Sequence, residues 1–491
     1  MSKIIINGKR SIGKINKNIF GHFSEHLGRC IYEGIAVKED SKIPNIHGLR
    51  CDVIEALKEM SVPVLRYPGG CFADTYHWMD GVGKVENRKK IINTNWGGFS
   101  EDNSFGTHEA VELCSLIGAD CYLSGNVGSG SVQEFSSWVE YCNCPSNSPM
   151  SQLRAKNGSV SPFNVKYWGI GNEAWGCGGN MRVEYYADLL RQYSTYLKDY
   201  SDFKIEKIAS GASEDDYHWT EVLSQRALKY VDALSLHYYT RPLDDWFHKG
   251  SSIDYPIREY WSTLNKTLKI EEFINNHASI IARYDKEKRV KLAIDEWGTW
   301  YDVIEDTNPA FLYQQNTIRD ALVAGINLNI FVNKADVISM ANIAQIVNVL
   351  QSVILTEGDK MVLTPTYYVF EMYKGHQEAM EVESYASSSL VGDEDYKVPN
   401  LTVASSLKED TLLITICNLA LEANECDILL EGLNPIEVKR ARTLTGSYLD
   451  YNSFTSPQVV KPLSLNTTIK DKVIHVKLEK NSVSAIEVKL G

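Results

Sequence analysis

Eight times between residues 18 and 343 the chain passes through a short apolar, β-branched run that ends in polar residues. The runs are NIFGHFSEH (18–26), VPVLRYPGG (62–70), ADCYLSGN (119–126), VKYWGIGNE (165–173), KIASGAS (207–213), DALSLHYYT (232–240), VKLAIDEWG (290–298) and ADVISMANI (335–343). Near-continuous apolar character marks strands buried on both faces, which parallel sheets require. The intervening stretches carry helical spacing: residues 182–199 place Val183, Tyr186, Leu190, Tyr193 and Leu197 on one face, and 271–284 and 309–325 read alike. Eight parallel strands joined by helical crossovers predict an α/β protein with a closed (β/α)8 TIM barrel; an open doubly wound sheet is the alternative.

Past residue 379 the pattern changes to short alternating strands such as NLTVASSL, DTLLITICNLA, CDILLEG, KVIHVKLEK and VSAIEVKL, punctuated by Asn, Gly, Asp and Pro. That rhythm predicts an all-β, jelly-roll-like sandwich. The opening SKIIINGKRSIGKI also reads as strand and precedes the first barrel run. The expected organisation is therefore an N-terminal strand in residues 1–16 that joins the sandwich, a catalytic barrel over 17–378 and a C-terminal sandwich over 379–491. A chain of 491 residues accommodates a barrel of about 250 residues or more with a smaller domain.

A formal net charge of −13 repels polyanions, which argues against nucleic acid as a partner. The first residues break their apolar positions with Lys, Arg and Asn, so no signal core is expected, and no later run reaches membrane-spanning length. A cytoplasmic protein without a membrane partner follows as the expectation. Its ten cysteines are then expected to be reduced and mostly buried. Cys142 and Cys144, with Cys177 as a third candidate, lack a fourth ligand, so no metal site is expected.

In such barrels the C-terminal strand ends line one pocket. Here they carry His22, Glu25, Arg66, Asn126, Asn172, Glu173, His237, Tyr239, Asp295, Glu296, Asn342 and Gln345. Glu173 ends the fourth run and Glu296 the seventh. Each alone reads equally as a salt-bridged rim residue, but two converging carboxylates are the equipment of glycoside hydrolysis. Arg66 would keep a neighbouring carboxylate ionised, and Tyr239 could do so by hydrogen bonding. His237 is either a site residue or a satisfied core histidine. Trp175, Trp297 and Trp300 are sugar platforms or core. The glycines of RYPGG and WGCGG are turn residues and match no phosphate-binding fingerprint.

The segments FGHFSEHLGRCIYEGI, LRYPGGCFADTYHWMDGVG, NTNWGGFSEDNSFGTHE, YWGIGNEAWGCGGNM, SLHYYT, AIDEWGTWY and MANIAQIVNVL together resemble the α-L-arabinofuranosidases of glycoside hydrolase family 51. The resemblance covers nearly all of the expected barrel. It implies a retaining, exo-acting hydrolase without metal or organic cofactor, with Glu173 as acid/base and Glu296 as nucleophile. It further implies that Glu25, Arg66, Trp96, Asn172, His237, Tyr239, Trp300 and Gln345 bind substrate or tune the nucleophile. Cys71 stands where some relatives carry an Asn that touches the sugar, and it is expected to line the pocket through backbone or thiol. The implied substrates are terminal α-L-arabinofuranosyl residues on arabino-oligosaccharides, arabinan or arabinoxylan fragments. The implied assembly is a homo-oligomer, a hexamer in the family. A β-D-xylosidase or β-glucanase on the same scaffold, or a non-catalytic carbohydrate-binding protein, is the alternative.

Overall fold

In the computed structural model, which describes residues 2–387 and 389–491, the eight apolar runs form eight strands. They are Gly21–Phe23, Val64–Tyr67, Asp120–Gly125, Tyr167–Ile170, Glu206–Ser213, Ala233–Thr240, Lys291–Thr299 and Ile338–Ala344, and they close in chain order into a barrel. The first six pair in parallel with their neighbours. The register sets Phe23 beside Arg66 and Arg66 beside Tyr122. Double burial is plain in the second strand, Val64–Tyr67, where every residue is buried. The fifth strand shifts register between Ala209 and Ala212. Gly211 is required inside that bulge, since a Cβ there would stand 1.8 Å from the Ser235 carbonyl oxygen.

The chain divides into two compact units. The first comprises residues 21–238 and 273–296, and so holds barrel strands one to six and the seventh as far as Glu296. In it the helix Val183–Tyr196 buries Val183, Tyr186, Leu190 and Tyr193 on one face. The second unit comprises the chain up to Phe20, residues 239–272 and residues 297–491. Its helix Ile318–Val332 begins later than the expected 309–325. Pro309–Phe311 makes only a single 3-10 turn, and the true start is fixed by Thr317, whose hydroxyl accepts from the Arg319 N–H while Asp320 accepts from the Thr317 N–H. All fifteen residues of this helix are buried, as suits one that is apolar nearly all round.

Two antiparallel-rich sheets complete the second unit. One runs Glu383–Ser387, Ser2–Asn7, Asn424–Glu431, Val473–Leu478, Thr467–Lys470. The other runs Met380–Glu381, Leu401–Lys408, Thr411–Asn418, Ser482–Leu490, Pro435–Leu444, Leu463–Ser464. A shared apolar core that includes Ile4, Ile6, Ile414, Ile428, Ile474 and Ile486 makes them a sandwich. The strand Ser2–Asn7 pairs parallel to Asn424–Glu431, with Ile4 beside Ile428, and antiparallel to Glu383–Ser387. Met1, at the start of the expected terminal strand, and Ser388, within the expected sandwich, lie outside the described residues. The fold is a (β/α)8 barrel with a C-terminal sheet-rich domain. No described helix is long and apolar enough to cross a membrane.

Candidate active site

Arg66 organises the first unit's strand ends. It is buried, and its guanidinium donates from Nη1 to Glu296 Oε1 (3.0 Å) and to the Asp295 carbonyl (3.0 Å), from Nη2 to Asn172 Oδ1 (2.6 Å) and from Nε to Ser124 Oγ (3.2 Å). The Phe23 ring lies 4.4 Å from the guanidinium carbon and closes its other face. Burial opposes the charge on Arg66, but Asp295 and Glu296 more than offset it and raise its pKa. A permanent cation therefore sits against one oxygen of Glu296, while Tyr122 donates to Asp295 Oδ2 at 2.8 Å.

Glu173 occupies the turn that follows the fourth strand, with φ at +41° in the left-handed region. Its carbonyl accepts from the N–H groups of Gly176 (2.7 Å) and Gly178 (3.1 Å), and the Ala174 N–H donates to Ser210 Oγ (3.0 Å). These bonds hold an uncommon backbone state in place. Gly178 is forced by that packing, since a Cβ there would stand 1.8 Å from the Asn172 carbonyl oxygen. On the side chain, Glu173 Oε1 lies 2.9 Å from His237 Nδ1, which lies 3.7 Å from Glu296 Oε2. Burial disfavours the imidazolium, but the Glu296 charge and the Glu173 hydrogen bond outweigh it, and the His237 pKa is raised. One oxygen each of Glu173 and Glu296 and a nitrogen of His237 all lie within 4.8 Å of one another.

Glu25 Oε1 accepts from the backbone N–H of Gly70 (3.0 Å) and Phe72 (3.2 Å) and from the Trp96 indole (3.0 Å). The glycine pair of RYPGG is explained by crowding. A Cβ on Gly69 would stand 2.6 Å from Glu25 Cγ, and one on Gly70 would stand 2.7 Å from Glu296 Oε1 and 3.3 Å from Asn172 Nδ2. Asn172 Nδ2 is itself buried without a protein partner, a donor left for a ligand oxygen. The Trp175 indole donates to the Gly211 carbonyl at 3.1 Å.

Glu25, Arg66, Asn172, Glu173, His237 and Glu296 are thus brought together, with Trp96 and Cys71 on the flanking loops. Tyr239, Trp300 and Gln345 belong to the second unit. There the Tyr239 and Trp300 rings meet edge to face at 5.2 Å, Trp246 packs on Trp300 at 5.4 Å, and the Gln345 N–H donates to the Val349 carbonyl. One open alternative, Trp297, settles as core, and three expectations are corrected. Trp297 is fully buried against Phe331 and Phe370, because neighbours along a strand face opposite sides and Glu296 takes the inward one. His22 is a core histidine whose pKa burial lowers to about 3, so it stays neutral. Asn126 caps its own turn, accepting from Ser129 and Gly130.

The third correction concerns sulfur. Cys71 and Cys177 are joined in a disulfide, where reduced cysteines were expected; loops 106 residues apart bring their Cα atoms to 5.4 Å. Bonded to Cys71, Cys177 is no partner for Cys142 and Cys144, which are free and buried at the end of the helix Val132–Asn143. The sequence also concealed Asp74. Its carboxylate accepts from the backbone of Val127 (2.7 Å), Gly128 (2.8 Å) and Asn172 (2.8 Å), tying the turns after the third and fourth strands together.

Comparison with known proteins agrees with this geometry. The model of the α-L-arabinofuranosidase 1 domain matches residues 56–258, and that of the α-L-arabinofuranosidase C-terminal domain matches residues 295–482. The intracellular exo-α-L-arabinofuranosidase of Bacteroides ovatus is 50% identical over 96% of this chain and 93% of its own. The α-L-arabinofuranosidase C of Emericella nidulans is 35% identical over 83% of this chain and 82% of its own. The crystal structure of a family 51 arabinofuranosidase from Xanthomonas axonopodis pv. citri superposes with a TM-score of 0.97 at 43% identity, covering 100% of both chains. That of the Thermotoga maritima α-L-arabinofuranosidase in complex with arabinose gives 0.89 at 34% identity, again over 100% of both chains.

A barrel of this kind with two converging carboxylates at its strand ends defines a glycoside hydrolase. With relatives this similar over nearly its whole length, the chain belongs to the α-L-arabinofuranosidases of glycoside hydrolase family 51.

Proposed function

We propose that this chain, an exo-acting α-L-arabinofuranosidase, works by double displacement, with Glu296 as nucleophile and Glu173 as acid/base. The observation that carries the reading is the asymmetry between the two carboxylates. Glu296 bonds directly to a buried guanidinium, which keeps it ionised, while Glu173 faces a histidine and lies farther into solvent. Oxygens of the two within 4.8 Å of each other suit the separation of about 5–5.5 Å of retaining enzymes rather than the roughly 6.5–9.5 Å of inverting ones.

In the first step Glu296 attacks the anomeric carbon and the glycosidic oxygen departs with the Glu173 proton. In the second, Glu173 removes a proton from water, whose oxygen displaces Glu296 and restores the original configuration. Glu25, fixed by three N–H donors, and Asn172, with a free buried donor, are placed to hold hydroxyls of one terminal ring. Trp96, whose indole donates to Glu25, adds to the same contacts in this reading. The substrates are short arabino-oligosaccharides derived from arabinan or arabinoxylan, hydrolysed inside the cell; the relative described as intracellular supports that location. Family resemblance supports a homo-oligomer, which light scattering tests; the mass of a single chain would overturn it.

Initial rates on nitrophenyl glycosides test the function, with fast release from α-L-arabinofuranoside and little from β-D-xyloside or β-D-glucoside as the expected result. Glu173→Ala should cost about 10²–10⁴-fold on an arabino-oligosaccharide, whose leaving group needs the proton, and far less on an activated aryl substrate. Equal losses on both would remove Glu173 from the acid role. Turnover of Glu296→Ala at the wild-type rate would remove Glu296 from the nucleophile role.

A further inference from the structure

We propose that, once reduced, Cys71 and Cys177 form with Glu173 a binding site for a thiophilic divalent cation of the Zn2+ class, and that the bound ion inhibits by occupying the acid/base. The inhibition rests on Glu173 having that role; the binding does not.

Two loops build the site. Cys71 follows the second barrel strand and Cys177 lies in the turn after the fourth, which Glu173 begins. Ligating atoms of the two cysteines and Glu173 lie within 4.8 Å of one another. Cys177 Sγ is 3.4 Å from Glu173 Oε2. With bonds of about 2.3 Å to sulfur and 2.0 Å to oxygen, a tetrahedral zinc centre has an S···O edge of about 3.5 Å, so this pair already stands at ligating distance. The two sulfurs must part to about 3.7 Å, which cleavage of their bond permits. The Glu173 carboxylate is already oriented as a ligand. His237 engages Oε1 and fixes the group while Oε2 points at sulfur, much as hydrogen-bonding partners orient the ligands of metal centres.

Access and chemistry agree. Cys177 is exposed and Cys71 half-buried, so reductant and ion both reach them. Two thiolates and a carboxylate favour Zn2+ or Cd2+ over Mg2+ or Ca2+. A disulfide offers no thiolate, so the oxidised form does not bind the ion this way. A water-soluble trialkylphosphine converts one form to the other. It gives an electron pair to the disulfide and leaves as phosphine oxide with oxygen from water, and the two sulfurs become thiols. The cation then displaces both thiol protons. Coordinated through Oε2, Glu173 can neither deliver a proton to a leaving oxygen nor take one from water.

A second set of ligands overlaps the first, since atoms of Glu173, His237 and Glu296 also lie within 4.8 Å of one another. It contains no sulfur, so its affinity does not depend on redox state. That difference decides the experiment.

The full chain is prepared oxidised and phosphine-reduced, and each form is titrated with Cd2+ while the ultraviolet thiolate-to-metal charge-transfer band is recorded. The reduced form is expected to gain a band that saturates at one ion per chain and is lost in Cys177→Ser, which keeps every other free cysteine. Stoichiometric Zn2+ should lower the rate on an arabino-oligosaccharide, whose leaving group needs the Glu173 proton, at least tenfold in the reduced wild type only, each form being referred to its own zinc-free rate, with recovery on adding a chelator. Equal Zn2+ inhibition of both forms, or a band as strong in Cys177→Ser as in wild type, overturns the proposal. A saturating, Cys177-dependent band in a chain that hydrolyses no glycoside would sustain the site and overturn the proposed function instead.

Discussion

Asp74 shows how much of the site rests on a residue that touches no substrate in the proposed reading. Its carboxylate takes three backbone N–H bonds, including that of Asn172, the residue before Glu173. Burial raises its pKa to about 6, although those bonds and the charge of Arg66 pull the other way. A carboxyl raised from 3.8 binds its proton more tightly folded than unfolded, so its contribution to stability is fully present below pH 3.8 and is lost as pH rises through 6. Wild type compared with Asp74→Asn in urea unfolding should therefore gain on going from pH 7 to pH 4, by about 2 kcal/mol, most of what a shift of roughly two units supplies. A difference that is flat with pH, or of opposite sign, would show that Asp74 titrates normally.

At the scale of elements, what the sequence revealed was what local pattern controls. The eight barrel runs were legible because strands buried on both faces must be apolar throughout, and the face of Val183–Tyr196 because helical spacing exposes it. Glu173 and Glu296 stood out as polar residues at the ends of such runs. Trp297 stayed open between platform and core, and the period of two along a strand, which places it opposite Glu296, decides for core. The Cys71–Cys177 bond and Asp74 left no local trace, since each depends on loops that only the closed barrel brings together. The start of Ile318–Val332 was misplaced because apolar spacing continued past Pro309 while the cap decided the boundary. That cap does more than begin a helix. Asp320, buried, also accepts from Thr299 Oγ1 (2.8 Å) and the Tyr301 hydroxyl (3.0 Å) just beyond the seventh strand. Asp320→Ala leaves these buried donors unsatisfied and should cost about 3 kcal/mol or more, against roughly 1 kcal/mol for the cap alone in Thr317→Ala. Equal losses in chemical denaturation would reduce Asp320 to a capping residue.

For the molecule as a whole, the decisive connection joins the two ends of the chain. The strand Ser2–Asn7 enters the five-stranded sheet between Glu383–Ser387 and Asn424–Glu431, so the sandwich is completed only by residues that precede the entire barrel. Pairing across more than 370 positions carries a closure cost that grows only slowly with length. What must repay it is burial, and the strand alternates accordingly: Ile4 and Ile6 are fully buried in the shared core, while Lys3 points to solvent. Replacing both isoleucines by alanine should lower stability by about 4 kcal/mol or more, from lost transfer energy and the cavities left behind, whereas Lys3→Ala should stay within about 0.5 kcal/mol. Protease sensitivity offers a second reading of the same change. With the strand loosened, cleavage should appear in the segments of residues 383–387 and 424–431, which lose their neighbour together. Cleavage confined to residues 2–7 would mean that the remainder of the sandwich stands without them.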